Sequence, residues 1–94
     1  MPPLGVEFTS RFRAEARDLP AERQNQVALA LEQLSQKFGQ SHLHGGLGVR
    51  RLKGNYFEFR VGRDVRVIFT LGGSTATLRM VGNHDDVRKY LKNL

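Results

Sequence analysis

Residues 56–81, "YFEFRVGRDVRVIFTLGGSTATLRMV", constrain the fold more than any other part of the chain. Stretches rich in Val, Ile, Phe, Tyr and Thr are separated by "GRD" and "GGST", so β-forming segments alternate with turn residues. The predicted strands are Tyr56–Val61, Val65–Leu71 and about Ala76–Val81, preceded by a further one at Val49–Lys53.

In a strand, successive side chains point to opposite faces. Phe57, Phe59 and Val61 therefore share one face, and Tyr56, Glu58 and Arg60 the other. If "GRD" is a three-residue hairpin loop, Val61 pairs with Val65 and Arg60 stands directly opposite Arg66, away from the aromatic core. Val67 and Phe69 then join the core side. A four-residue "GGST" loop sets Leu78 and Met80 opposite Phe69 and Val67, leaving Arg79 and Val81 with Arg66. With Leu52 pointing inward, the other face carries Arg51, Lys53, Arg60, Arg66 and Arg79, with Glu58 as its one acid. Like charges facing each other across a sheet disfavour folding by up to roughly 1 kcal/mol. Local rules are broken most often at functional sites, which points to an anionic ligand between the arginines. A solvated basic face with Glu58 bridging the arginines is the plainer alternative.

Ahead of the strands, "GVEFT" alternates weakly and reads as a short first strand, with Thr9 or Ser10 able to cap a helix over "SRFRAEARDL". Pro20 suits the first turn of a second helix. Val27, Leu31, Leu34 and Phe38 then make one apolar stripe, and Gly39 is a natural stop. "GQSHLHGGLG" reads as a Gly-rich loop. The closing "DDVRKYLKNL" reads as a helix with acids in its first turn and bases in its last, as the helix dipole favours.

Charge is distributed unevenly. Residues 1–44 hold five basic and five acidic side chains, whereas residues 45–94 hold ten basic and four acidic, which accounts for the whole net charge of +6. A chain of 94 residues this basic is expected to be one domain, 1–94, with a polyanionic partner: nucleic acid, an anionic membrane surface or an acidic protein. "MPPLGVEF" has neither the charged nor the apolar region of a secretory signal, and no apolar run reaches membrane-spanning length, so a cytoplasmic location and no membrane partner are expected. There is no cysteine, which excludes disulfides, thiolate metal sites and a Cys nucleophile.

At "NYFEFRVGRDVRVIF" followed by "MVGNHDDVRKYL", the chain resembles the RelE/ParE superfamily of toxins from bacterial type II toxin–antitoxin systems. The resemblance runs from "VEFTSRFRAEARDLP" through the helical pair and "LKGNYFEFRV" to the last helix. It is carried by the order and spacing of these segments rather than by any one motif. It implies an α+β fold: two N-terminal helices packed on one face of a twisted, mostly antiparallel sheet of about four strands, with a short C-terminal helix. Many members cut messenger RNA, usually in the ribosomal A site, while another branch poisons DNA gyrase. In the RNA-cutting branch, basic side chains on the third strand and an arginine near the start of the next contact phosphate; Arg60 and Arg66 stand in matching places, Arg66 the more closely. The RelE pattern after the last strand is Val-Gly, a variable residue, a basic side chain, and a tyrosine six residues later, which here gives His84 and Tyr90. Relatives of the YoeB and YafQ groups also have a histidine near this point. The sequence departs from RelE at Glu58, where RelE has a lysine; "FEFR" is closer to the Glu-Leu-Arg segment of HigB-like toxins.

Metal-independent RNA cleavage by attack of a 2′-hydroxyl on the adjacent phosphorus needs a base, an acid and positive charge near the phosphorane oxygens. Histidine exchanges protons near neutral pH, which makes His84 the candidate general acid/base. Its alternative is a helix-capping turn, since Asn83, His84 and Asp85 all suit turns and N-caps. Arg60 and Arg66 have the forked, permanently charged donors that hold phosphoryl oxygens. Glu58 either orients one of them or is the second proton-transfer group. Tyr90 stacks on a base, donates to phosphate or packs the last helix. Arg50, Arg51 and Lys53 read as RNA-backbone contacts, with Arg79 on the same basic face. His42 and His44 with His84 would make a weak metal site; exposed loop residues are the simpler account, and neither metal nor cofactor is expected.

The expected function is thus an mRNA endoribonuclease toxin acting with the ribosome and neutralised by an antitoxin covering the basic face. The alternatives are a ParE-like gyrase inhibitor without nuclease activity and an RNA-binding relative that has lost catalysis.

Overall fold

The computed structural model describes residues 5–37 and 48–94. Five strands, β1 (Gly5–Phe8), β2 (Arg50–Lys53), β3 (Tyr56–Val61), β4 (Val65–Gly72) and β5 (Thr75–Gly82), form one sheet in the order β1-β5-β4-β3-β2. The β1–β5 pair is parallel and the other pairs antiparallel. The weakly alternating "GVEF" is therefore a full member of the sheet, one strand more than the four expected from the resemblance.

Helices α1 (Ser10–Arg17) and α2 (Ala21–Lys37) cover one face, where Phe12, Val27 and Leu34 are buried against Phe59, Val61, Val67, Phe69 and Leu78. Thr9 is the cap of α1, its Oγ1 accepting the Phe12 N–H at 3.1 Å. Pro20 lies one position ahead of the expected first turn, its carbonyl accepting the Gln24 N–H at 3.0 Å. β1 ends level with Leu78, and beyond it α1 closes the β5 edge, with the Glu15 carboxylate accepting the Val81 N–H at 3.1 Å. Phe38, Gly39 and the loop holding His42 and His44 lie outside the described residues.

The opposite face has its own small core. Ile68 and Met80 are buried there beneath Val87 of α3 (His84–Lys92), with Leu52, Tyr56, Tyr90 and Leu91 around them. Two expectations fail for one reason. Met80 pairs with Ile68 and Val81 with Val67, because an irregularity opposite Ile68/Phe69 inserts Arg79 as an extra residue in β5. One inserted residue exchanges faces, so Val81 enters the helix-side core and Met80 leaves it. A second shift, between Arg51 and Lys53, turns Leu52 toward the α3 side and sets Arg50, not Arg51, opposite Glu58. The "GGST" turn is also tighter than expected. Gly72 and Thr75 still pair, leaving Gly73-Ser74 as the loop, with Gly73 at φ +60°.

Candidate active site

The three-residue "GRD" loop forms as its length demands. Val61 pairs with Val65, and Arg60 with Arg66. Gly62 takes φ +64°, a left-handed conformation that few other residues tolerate, and this closes the turn.

The two arginines have different surroundings. Glu58, two residues before Arg60 on the same face of β3, is 2% exposed, and its Oε1 accepts from Arg66 Nη1 at 2.5 Å. Its Oε2 accepts from Arg50 Nη2 at 3.1 Å. Both carboxylate oxygens are engaged, as burial of a charge requires. Glu58 thus bridges two arginines, but the second is Arg50 rather than Arg60. The Arg66 side chain keeps 18% of its surface exposed, and Nε and Nη2 are not used in the Glu58 contact. Among the described residues no carboxylate pairs with Arg60, which is exposed.

His84 sits beside Arg66 by construction of the strand pair. Gly82 is the partner of Arg66, and two residues later His84 opens α3. Asn83 fixes that start with a capping box: its Oδ1 accepts the Asp86 N–H at 2.8 Å, and the Asp86 carboxylate accepts the Asn83 N–H at 2.9 Å. Arg66 and His84 line one pocket of about 230 Å³ together with Arg63, Asp64, Asn83 and Asp85. The sequence reading did not single out Arg63 or Asp64. Their signal was their place in the turn joining the two arginine-bearing strands. Asp64 is partly neutralised by Arg23 of α2 at 3.2 Å.

Tyr90 lies elsewhere. Six residues of helix separate it from His84, about 9 Å along the axis. The Arg11 guanidinium lies 4.9 Å from its ring centre, and its neighbours Tyr56 and Arg79 face the same phenol. Burial raises the Tyr90 pKa, and the nearby Tyr56 adds to the rise, against the opposing pull of Arg79 and Arg11. Arg79 donates through Nε to Thr70 Oγ1 at 3.1 Å. Arg50, Arg51 and Lys53 are all exposed on β2, with Arg51 Nε donating to the Gly54 carbonyl at 2.8 Å. The structure therefore brings together Arg66, His84 and, through Arg66, Glu58 and Arg50. Arg60 is the cross-strand partner of Arg66, and Tyr90 lies further along α3 from His84. Among the described residues no cluster of His, Asp and Glu is arranged to hold a metal ion, and no helix is long and apolar enough to cross a membrane.

No protein-family model and no curated protein matches the sequence. Solved structures do. The RelB–RelE antitoxin–toxin complex of Methanococcus jannaschii matches with a TM-score of 0.70 at 24% identity, over 90% of this chain and 98% of that one. A mutant of E. coli toxin RelE in the free state matches with a TM-score of 0.71 at 15% identity, over 98% of both chains. E. coli YafQ matches with a TM-score of 0.69 at 16% identity, over 89% of this chain and 97% of its own. The chain has the RelE fold. Each RelE-fold partner is spanned almost end to end, so the sheet, the helical pair and the closing helix all belong to the shared architecture.

Proposed function

We propose that this protein is the toxin of a toxin–antitoxin pair and cuts messenger RNA bound in the ribosome. The observation that carries the reading is the pocket shared by Arg66 and His84 at the β3–β4 turn. Arg66 binds a non-bridging oxygen of the scissile phosphate through the donors not given to Glu58. The 2′-oxygen attacks phosphorus, the bond to the 5′-oxygen breaks, and the products are a 2′,3′-cyclic phosphate and a 5′-hydroxyl. His84, exposed at the helix start, moves the proton at one end of this displacement, and solvent water takes or supplies the proton at the other. With both its oxygens held by arginines, Glu58 serves to orient Arg66 rather than to exchange a proton. Arg50, Arg51, Lys53 and Arg79 add positive charge that holds the RNA backbone without reading sequence. Tyr90 packs α3 onto Tyr56 and Arg11. The antitoxin covers the basic face, and the similarity to RelE solved in complex with RelB supports such a partner.

The test is incubation of the purified protein with ribosomes programmed with a defined mRNA, with the ends mapped by primer extension. Discrete cuts at defined positions are expected, appearing only when both the protein and the ribosomes are present. Intact mRNA with inhibited gyrase would give the function to the gyrase-inhibitor reading. RNA binding without cut ends would mark a binding protein without catalysis.

A further inference from the structure

A second pocket, of about 240 Å³, lies on the other side of the same turn, where Arg60, Val61 and Gly62 meet Gln26, Leu29 and Gln33 of α2. We infer that it is a nucleotide subsite in which Arg60 holds a flanking phosphate and the Gln26 and Gln33 amides read the edge of an unstacked RNA base. The inference rests on the RNA-cutting reading and gives that site a source of sequence preference.

Three observations carry it. Arg60 is exposed and has no carboxylate among the described residues, whereas its cross-strand partner Arg66 is held by Glu58. A guanidinium left open beside the catalytic pocket is suited to a second phosphate. The pocket is also lined by two amide side chains and an apolar one from α2, with the backbone end of β3 at Arg60, Val61 and Gly62 as its other wall, from which the Arg60 side chain extends at the strand end. Gln26 Oε1 accepts from Arg23 Nη1 at 3.3 Å, which fixes the amide and leaves its NH₂ as donor. Gln33 is half-buried, and Leu29 is 58% exposed, so its side chain is accessible to a ligand. An amide offers a donor and an acceptor to a base edge, and an aliphatic side chain offers a surface to its face. Lastly, Arg60 and Arg66 are directly paired, so their Cα atoms are roughly 4.5–5.5 Å apart. A single strand crossing the turn meets one arginine and then the other.

The test uses the isotope-labelled full chain, titrated with short single-stranded RNAs that carry a 2′-deoxy sugar at the cut site and differ in one flanking base. The side-chain amide signals of Gln26 and Gln33 and the Nε signal of Arg60 are expected to move, by amounts that depend on that base. Gln33→Leu is expected to reduce discrimination among flanking bases by roughly threefold to tenfold, the size of one neutral hydrogen bond, mainly by slowing cleavage of the preferred substrate. Movement confined to His84 and Arg66 would overturn the subsite while leaving the cleavage reading intact. Movement of Arg60 alone, reproduced by inorganic phosphate, would overturn base reading. If RNA moved neither pocket, the subsite would fall, while the cleavage reading is decided separately by the programmed ribosomes.

Discussion

Glu58 and Arg66 form a contact between a carboxylate that is 2% exposed and a guanidinium that still reaches solvent. Removing the acid leaves two arginines without their counter-charge and a void beneath them. Glu58→Ala is expected to lower stability by about 1–3 kcal/mol, less than a fully buried pair because Arg50 and part of Arg66 are hydrated. Urea unfolding checks the value. Glu58→Gln keeps the shape and one acceptor, so its loss is expected to be smaller, and cleavage should fall in both variants as Arg66 loses its fixed orientation.

His84 is exposed at the start of α3, and the capping work is done by Asn83 and Asp86. His84→Ala is therefore expected to leave the melting temperature nearly unchanged while lowering the single-turnover cleavage rate by roughly 10²–10⁴-fold. Full cleavage in this folded variant would take His84 out of the mechanism.

Asn83 joins the fold to the site. Asn83→Ala removes the oxygen that accepts the Asp86 N–H, and a lost N-cap costs about 1 kcal/mol. The cleavage rate is expected to fall as well, because the same cap sets where α3 begins and so where the imidazole stands. Asn83→Ser or Asn83→Asp, which restore a capping oxygen, should recover stability and most of the rate. Circular dichroism melts and single-turnover assays on the set separate capping from chemistry.

The arginine pair was legible in the sequence because it needs only the two-residue period of a strand and a loop of known length. The "GRD" turn satisfies both. The same reasoning misplaced Met80 and Val81, since a single extra residue at Arg79 reverses the alternation and leaves no mark in composition or periodicity. Leu52 failed in the same way at the second shift. Glu58 was recognised as the lone acid on its face, but its choice of Arg50 over Arg60 depends on that shifted β2 register. The pockets on either side of the turn depend on how α2 and α3 approach it, which residues 56–81 do not encode alone.

Tyr90 is where packing and titration can be separated. Its pKa is raised, chiefly by burial and then by Tyr56. A phenol whose folded pKa lies above its unfolded value near ~10 contributes stability that is fully present below that value and is lost as pH rises through the folded pKa. Tyr90→Phe keeps the ring beneath Arg11 and against the Ile68–Met80–Val87 core while removing the ionising group. It is expected to unfold less readily than the parent as the pH is raised above about 10, relative to their difference at neutral pH, and to keep its cleavage rate. Tyr90→Ala, which also removes the ring, should lower stability at every pH. Denaturation midpoints between neutral and alkaline pH, with ultraviolet titration of tyrosinate, make the comparison. A large loss of cleavage by Tyr90→Phe at unchanged stability would instead place the phenolic hydroxyl in contact with RNA.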